Sequence, residues 1–113
     1  MILKSTIDCV VNWHKETFPD VTKEDQLKKL EEELKEFYKD FSDMELADVL
    51  ICSIALSERF NSPIGNVVFN SFANQPDFYP SLDEIISKKM QINKSRTWQK
   101  IDGVYRHVES GDK

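Results

Sequence analysis

The segment from Met44 to Leu56 constrains the fold more than any other, because ten of its thirteen residues are apolar. The exceptions are Glu45, Asp48 and Ser53. A helix that is apolar on all sides is normally buried, so this segment predicts a central helix surrounded by other elements. Burying a carboxylate without a partner is costly, so both acids are expected to have a cationic partner or to be protonated.

Helix-start patterns divide the rest of the chain into segments that can pack around this central helix. Residues 5–18 carry one apolar stripe and end at Pro19, and Thr22 is a candidate N-cap for a second helix. The stripe of that second helix comprises Leu27, Leu30, Leu34, Phe37 and Phe41. A third helix is expected to begin at the capping box Ser42-x-x-Glu45 and to end near Phe60. A fourth is expected to begin at Ser62-Pro63, and residues 74–80 match a loop. A fifth is expected to begin at the capping box Ser81-x-x-Glu84 and to end near Ser95.

These patterns predict an all-α fold: a bundle of about four to five helices around a central antiparallel helix hairpin, forming one domain over residues 1–113. The chain has only 3 glycines and 4 prolines, too few for the many turns of a β-sandwich, and it contains no convincing pair of strands. Asp102-Gly103 predicts a turn, followed by a tail that is extended or frayed. Two cysteines make no disulfide framework, and Cys9 and Cys52 are expected to be small buried side chains.

The charge distribution and the absence of an apolar leader limit the function. A net charge of −5 argues against binding to a nucleic-acid polymer, and no apolar run is long enough to span a membrane, so a cytoplasmic protein is expected. Half of the 20 acidic residues lie between Glu24 and Asp48, whereas residues 88–100 hold five basic residues and no acidic one. One part of the chain is therefore suited to a cation and another to an anion.

Four carboxylates are expected to meet across the hairpin of the second and third helices. Glu45 and Asp48 lie three residues apart on one face, as do Glu33 and Glu36. In an antiparallel pair turning near residue 40 or 41, Glu36 lies opposite Glu45 and Glu33 opposite Asp48. Oxygen ligands of this kind suit Mg²⁺, with Mn²⁺ as the alternative. Any one of these acids could instead be a cap or part of a solvated face, but their shared spacing and apolar context favour a metal site over that alternative. A di-iron site is disfavoured because no histidine follows any of them by three residues.

Helical geometry places Glu36 about 140° from the centre of its helix's apolar stripe. A lone bundle would leave this side chain in water. Another helix is needed to cover the site, and a second subunit can supply it. A homodimer or homotetramer is therefore expected.

The basic segment places Lys89, Asn93 and Arg96 on one helical face, with Lys94 off that face and Trp98 just beyond. Cationic and amide side chains hold phosphate oxygens, and a tryptophan can stack on a base. The alternative is a basic helix end that only complements the macrodipole. His14 is expected to be a core histidine, Trp13 either packs or helps to form a base pocket, and Tyr105 and His107 are weaker candidates to close over a nucleotide.

The motifs Glu32-Glu33-x-x-Glu36 and Glu45-x-x-Asp48 resemble those of the MazG-type nucleoside triphosphate pyrophosphohydrolases, an all-α family. The later motif from Lys89 to Trp98, with Asp102-Gly103 and His107, resembles the phage-type dATP/dGTP diphosphohydrolase branch. The similarity covers residues 7 to 109, although the interval between Glu36 and Glu45 is shorter than usual for the wider family. It implies Mg²⁺-dependent hydrolysis of a (deoxy)nucleoside triphosphate to the monophosphate and pyrophosphate. It further implies that Glu33, Glu36, Glu45 and Asp48 hold the metal, that Glu32 and Glu36 are the catalytic candidates, and that Lys89, Asn93, Lys94, Arg96 and Trp98 bind the substrate.

A second function, from another class, is a non-catalytic helical interaction module whose acidic hairpin binds a cation or a basic partner. The acids lie in an apolar helix, whereas a partner-binding face would be solvated, and this contrast favours the enzyme.

Overall fold

The computed structural model describes residues 2–74, 81–102 and 104–108. Within these ranges, five helices are followed by two strands, and the expected helical bundle is confirmed. The helices are α1 (Lys4–Thr17), α2 (Lys23–Lys39), α3 (Asp43–Phe60), α4 (Pro63–Ala73) and α5 (Leu82–Ser95), and the strands are β1 (Thr97–Ile101) and β2 (Val104–Val108). Of the helices described, none combines the length and the apolar content that a bilayer crossing requires.

Helix α3 occupies the centre, as its composition predicts. Its residues from Leu46 to Ser57 are buried apart from Asp48, and α1, α2, α4 and α5 all pack against it. Leu46, Leu50 and Leu56 have no exposed surface at all. Helix α4 approaches α3 closely at Gly65, where an added Cβ would come within 2.7 Å of the Ser57 backbone nitrogen. The acids of α3 are therefore fixed in a rigid, close-packed centre.

The helix starts follow the sequence signals, with two differences. The reciprocal capping box forms at Thr22 and Asp25. The Ser42 hydroxyl accepts a hydrogen bond from the Glu45 backbone N–H at 3.2 Å, but the Ser42 N–H is bonded to the Asp40 carbonyl instead of the Glu45 side chain. The Glu45 carboxyl is thereby left for the site. The capping box predicted at Ser81 is wrong, since its side chain makes no capping bond.

The apolar stripe of α2 ends earlier than predicted. Phe41 was expected to continue it, but α2 ends at Lys39 and the Phe41 side chain is 69% exposed. Leu30 and Phe37 are buried, so the stripe is confirmed up to the end of the helix. Beyond it, the Asp40 backbone is extended and turns the chain toward α3.

The absence of paired strands was also predicted and is wrong. Strands β1 and β2 form an antiparallel hairpin in which Thr97 faces Val108 and Ile101 faces Val104. Asp102, at the connection, has a left-handed backbone with φ 54°. An isolated hairpin of this size is at best marginally stable, so its packing against α2 and an aromatic cluster accounts for its formation. The loop predicted at 74–80 begins at the C-cap of α4, and its residues 75–80, together with Gly103 and the tail from residue 109, lie outside the described residues.

Candidate active site

A cavity of about 360 Å³ opens between the helices and the β-hairpin, within the range of small-molecule sites. One end is lined by acids of α2 and α3, and the other by aromatic residues of α1 and the hairpin. Basic side chains from α2, α5 and the hairpin lie along it. The cavity thus combines groups for a cation, an anion and an aromatic ring.

Three of the predicted metal ligands converge at the acidic end. One carboxylate oxygen from each of Glu33, Glu45 and Asp48 lies within 4.8 Å of the other two. The Glu45 Oε1 atom is buried and has no hydrogen-bond partner among the described residues. Glu36 lines the same cavity but is exposed, and it is not part of this three-oxygen group.

The electrostatics of this cluster favour a bound cation. Burial, together with the nearby Glu33 carboxylate, raises the pKa of Asp48 to about 7, against the opposing effect of Lys89. Burial and the charges of Glu36 and Glu33 also raise the pKa of Glu45. Asp48 and Glu45 are therefore hard to ionise beside the neighbouring carboxylates, and a divalent ion would relieve that repulsion.

Ammonium and guanidinium groups pair with acids around the cluster. Lys89 of α5 lies 3.3 Å from Asp48, and Lys29 of α2 lies 3.1 Å from Glu33. Arg106 of β2 donates two hydrogen bonds to Glu32, at 3.0 and 2.9 Å. Lys29 and Arg106 were missed by the sequence analysis. Lys29 precedes Glu33 by four residues and was detectable as a helical pair, whereas Arg106 required knowledge of the hairpin.

The residues predicted to bind phosphate lie together at the end of α5, with one exception. Lys89, Asn93 and Arg96 line the cavity, and the buried Asn93 Oδ1 has no hydrogen-bond partner among the described residues. Lys94 was wrongly placed in this group, because its Nζ lies 3.3 Å from Cys9 Sγ in a separate cavity. The 100° step of the helix turns it away from the face that Lys89 and Asn93 share. Cys9 is correspondingly only half-buried, whereas Cys52 is buried as predicted.

An aromatic cluster forms the other end of the cavity. The Trp98 ring lies 5.8 Å from that of Trp13, 5.3 Å from that of Phe18 and 6.0 Å from that of His107, in edge-to-face contacts. The Trp98 Nε1–H donates to the Asn93 carbonyl at 3.1 Å, which couples the cluster to α5. Tyr105 also lines the cavity and packs against Phe18. Trp13 therefore both packs and lines the cavity.

Next to the aromatic cluster, buried hydrogen bonds link α1 to α2 and α2 to α3. His14 is a satisfied core histidine, as predicted: its Nε2 lies 2.9 Å from Gln26 Oε1, and its Nδ1 lies 2.9 Å from an Arg59 nitrogen. Burial lowers the pKa of His14 to about 4, so the ring is neutral. Because the Arg59 guanidinium can only donate, His14 carries its proton on Nε2 and donates to Gln26. Gln26 in turn donates to the Cys52 carbonyl of α3 at 3.3 Å. No sequence pattern had indicated Gln26 or Arg59.

No family model matches the sequence, and a comparison with curated proteins finds no match. A comparison with solved structures finds a similar chain, the cyanophage S-2L MazG-like pyrophosphohydrolase bound to dGDP and three catalytic Mn²⁺ ions per active site. The similarity covers 93% of this chain and 95% of that one, at 24% sequence identity and a TM-score of 0.46. That protein's description names the family that the sequence motifs resemble. A likeness of this size assigns no role to any residue here, so the chemistry rests on the site itself.

Proposed function

We propose that this chain is a metal-dependent hydrolase that cleaves a (deoxy)nucleoside triphosphate to the monophosphate and pyrophosphate. The observation that carries the proposal is the convergence of Glu33, Glu45 and Asp48 at one end of a cavity whose other end is aromatic. Basic side chains lie along the same cavity. A triphosphate with a planar base has matching chemistry along its length: anionic oxygens that share a cation, and a ring that packs on aromatic side chains.

The three carboxylates suit Mg²⁺ or Mn²⁺, because they offer only oxygen atoms. The raised pKa of Asp48 and the unpartnered Glu45 Oε1 are both features that a bound cation would relieve. Glu33, Glu45 and Asp48 would hold the ion, and Glu36, which lines the same cavity, is the candidate to extend the set. When bound, the metal supplies positive charge to the phosphate oxygens as the bond breaks.

The remaining polar residues have roles that follow from their positions. Lys89 and Arg96 hold phosphate oxygens, while the Asn93 Oδ1, which has no hydrogen-bond partner among the described residues, accepts a hydrogen bond from a donor group of the substrate. Glu32 and Glu36 are the candidates to orient the attacking water and accept its proton. Because Arg106 engages both oxygens of Glu32, that carboxylate is held in one orientation beside the metal ligands.

The base would lie against the aromatic cluster. Trp98 and Trp13 offer ring surface to a purine or pyrimidine, and the half-buried Trp98 is fixed by its hydrogen bond to the Asn93 carbonyl. Tyr105 and His107 line the same end and would complete the enclosure of the ring.

The proposal includes self-association into a homodimer or homotetramer. Tyr38, Phe41, Ile64 and Val67 are each more than half exposed, and they lie on α2, on α4 and in the α2–α3 turn. A second copy of the chain would cover this apolar surface and bring protein toward the exposed Glu36. Sedimentation velocity tests this, since a stable dimer is expected to bury more than about 1,000 Å² and to persist at micromolar concentration.

The hydrolase is tested by incubating the folded protein with each NTP and dNTP, with Mg²⁺ or Mn²⁺, and resolving the products by anion-exchange chromatography. Monophosphate and pyrophosphate in equal amounts are expected from at least one substrate. Release of orthophosphate would place cleavage at another bond. Absence of turnover by folded, metal-binding protein would favour the non-catalytic module.

A further inference from the structure

Among the described residues, Lys29 is the one cavity lysine outside the basic segment of residues 88–100. It projects from α2 and contacts Glu33 at 3.1 Å, with only 22% of its side chain exposed. Its ammonium group carries the positive charge of a lysine at neutral pH. A charged, half-buried lysine therefore lies against one of the three converging acids.

Helix stability does not account for this pair. A lysine four residues before a glutamate is the less favourable order on a helix, and such pairs contribute only about 0.3 to 0.5 kcal/mol when exposed. Lys28, the neighbouring residue, lies on a different side of α2 beside Leu27 and Ile64. The helix thus directs one of two consecutive lysines into the cavity, where ordering its long side chain has an entropic cost.

We infer that Lys29 is a further substrate-binding residue, which holds Glu33 before the metal binds and is released to the phosphate chain afterwards. This inference rests on the proposed function, since it requires both a metal and a phosphorylated ligand. Among the described residues, Glu33 has one ammonium partner, Lys29, and coordination to a divalent ion would replace that partner. The freed ammonium remains in the cavity that the phosphates enter.

The net charge of the acidic cluster changes when a divalent ion binds, and this change favours the transfer of Lys29 from Glu33 to a phosphate. The ionised forms of Glu33, Glu45 and Asp48 carry three negative charges, and Lys29 and Lys89 bring two positive ones. The cluster is then net negative and repels a triphosphate. A divalent ion makes the same cluster more positive by two charges, so metal binding and anion binding should reinforce each other.

The test compares Lys29→Met with Lys28→Met, a matched control on the same helix outside the cavity. Calorimetry measures Mn²⁺ binding to the ligand-free chain, and then binding of the α,β-imido analogue of dATP with excess Mn²⁺ or with EDTA. Circular dichroism confirms folding, and Lys29→Gln provides a second variant with the same expectations.

In Lys29→Met, Mn²⁺ binding to the ligand-free chain is expected to tighten about threefold, because its competitor for Glu33 is gone. Binding of the analogue with Mn²⁺ is expected to weaken about tenfold, the typical loss of a charge-assisted hydrogen bond. Lys28→Met should change neither. A tighter Mn²⁺ affinity together with a weaker affinity for the analogue distinguishes exchange from a structural role. A structural role would weaken both affinities or leave both unchanged.

Failure of the proposed function can be distinguished from failure of the role inferred for Lys29. If the wild-type chain binds neither Mn²⁺ nor the analogue, the proposed function itself is wrong. If the wild type binds both, and Lys29→Met matches Lys28→Met or shifts both affinities in the same direction, the site stands and the role of Lys29 is overturned.

Discussion

Replacing Asp48 by Asn should make the metal-free protein more stable while destroying its metal site. The pKa of this carboxyl rises from 3.8 to about 7 on folding. A raised acid pKa means that the folded state holds the proton more tightly, so the ionised carboxylate weakens the fold as pH rises from about 4 to 7. The penalty is complete above about pH 7 and absent well below pH 4.

The shift corresponds to roughly 4 kcal/mol at 1.36 kcal/mol for each pH unit. This figure already includes the opposing effect of Lys89, and the 21% exposure of the Asp48 side chain reduces the gain from Asn further. A net gain of about 1 to 2 kcal/mol at pH 8 remains, which is about 4 to 8 °C in melting temperature for a chain of this length. At pH 4.5 the gain should shrink to about a quarter of its value at pH 8.

Calorimetric melting between pH 4.5 and 8, in EDTA and in Mn²⁺, measures these differences. Mn²⁺ at 100 times its Kd should stabilise the wild type by about 2.7 kcal/mol and should not stabilise the variant. Asp43→Asn is the control, because Asp43 lies exposed in the first turn of α3 and does not line the cavity. A variant less stable than the wild type at every pH, or a difference that does not depend on pH, would mean that the ionised Asp48 carboxylate does not destabilise the fold.

Three further substitutions test other parts of the structure. Glu45→Gln removes one of the three converging carboxylates and should lower kcat by at least about 10²-fold without changing the far-ultraviolet circular dichroism spectrum; an unchanged rate would remove Glu45 from the mechanism. Trp98→Ala removes ring surface from the aromatic end and should raise KM for the nucleotide about tenfold or more, the loss of about 1 to 3 kcal/mol of stacking; an unaltered KM would show that the base lies elsewhere. Leu46→Ala leaves a void in the fully buried centre and should cost about 2 to 5 kcal/mol in urea unfolding; a loss below about 1 kcal/mol would contradict the central position of α3.

The helices were predictable because their signals are local. The apolar composition of α3 required burial, and Thr22 and Ser42 marked the starts of α2 and α3. The convergence of Glu33 with Asp48 followed from an antiparallel register, which a short turn between two helices largely determines. Phe41 was misassigned because the periodic stripe continues past the point where the Asp40 backbone becomes extended.

The residues that were missed depend on contacts between distant parts of the chain. Arg106 meets Glu32 across 74 positions, and Arg59 meets His14 across 45. The β-hairpin was missed because its strands are short and mostly exposed, and packing on the helices accounts for their formation. Lys94 was assigned to the site from its position in a basic motif, although the helical angle placed it off the shared face.

The central claim is that Glu33, Glu45 and Asp48 hold one divalent ion in common. Anomalous diffraction from crystals soaked in Mn²⁺ tests it most directly. A strong anomalous peak is expected about 2 to 2.5 Å from an oxygen of each of these three side chains. A protein that turns over nucleotides with Mn²⁺ but shows its peak elsewhere, or shows these three carboxylates apart with no ion between them, would contradict it.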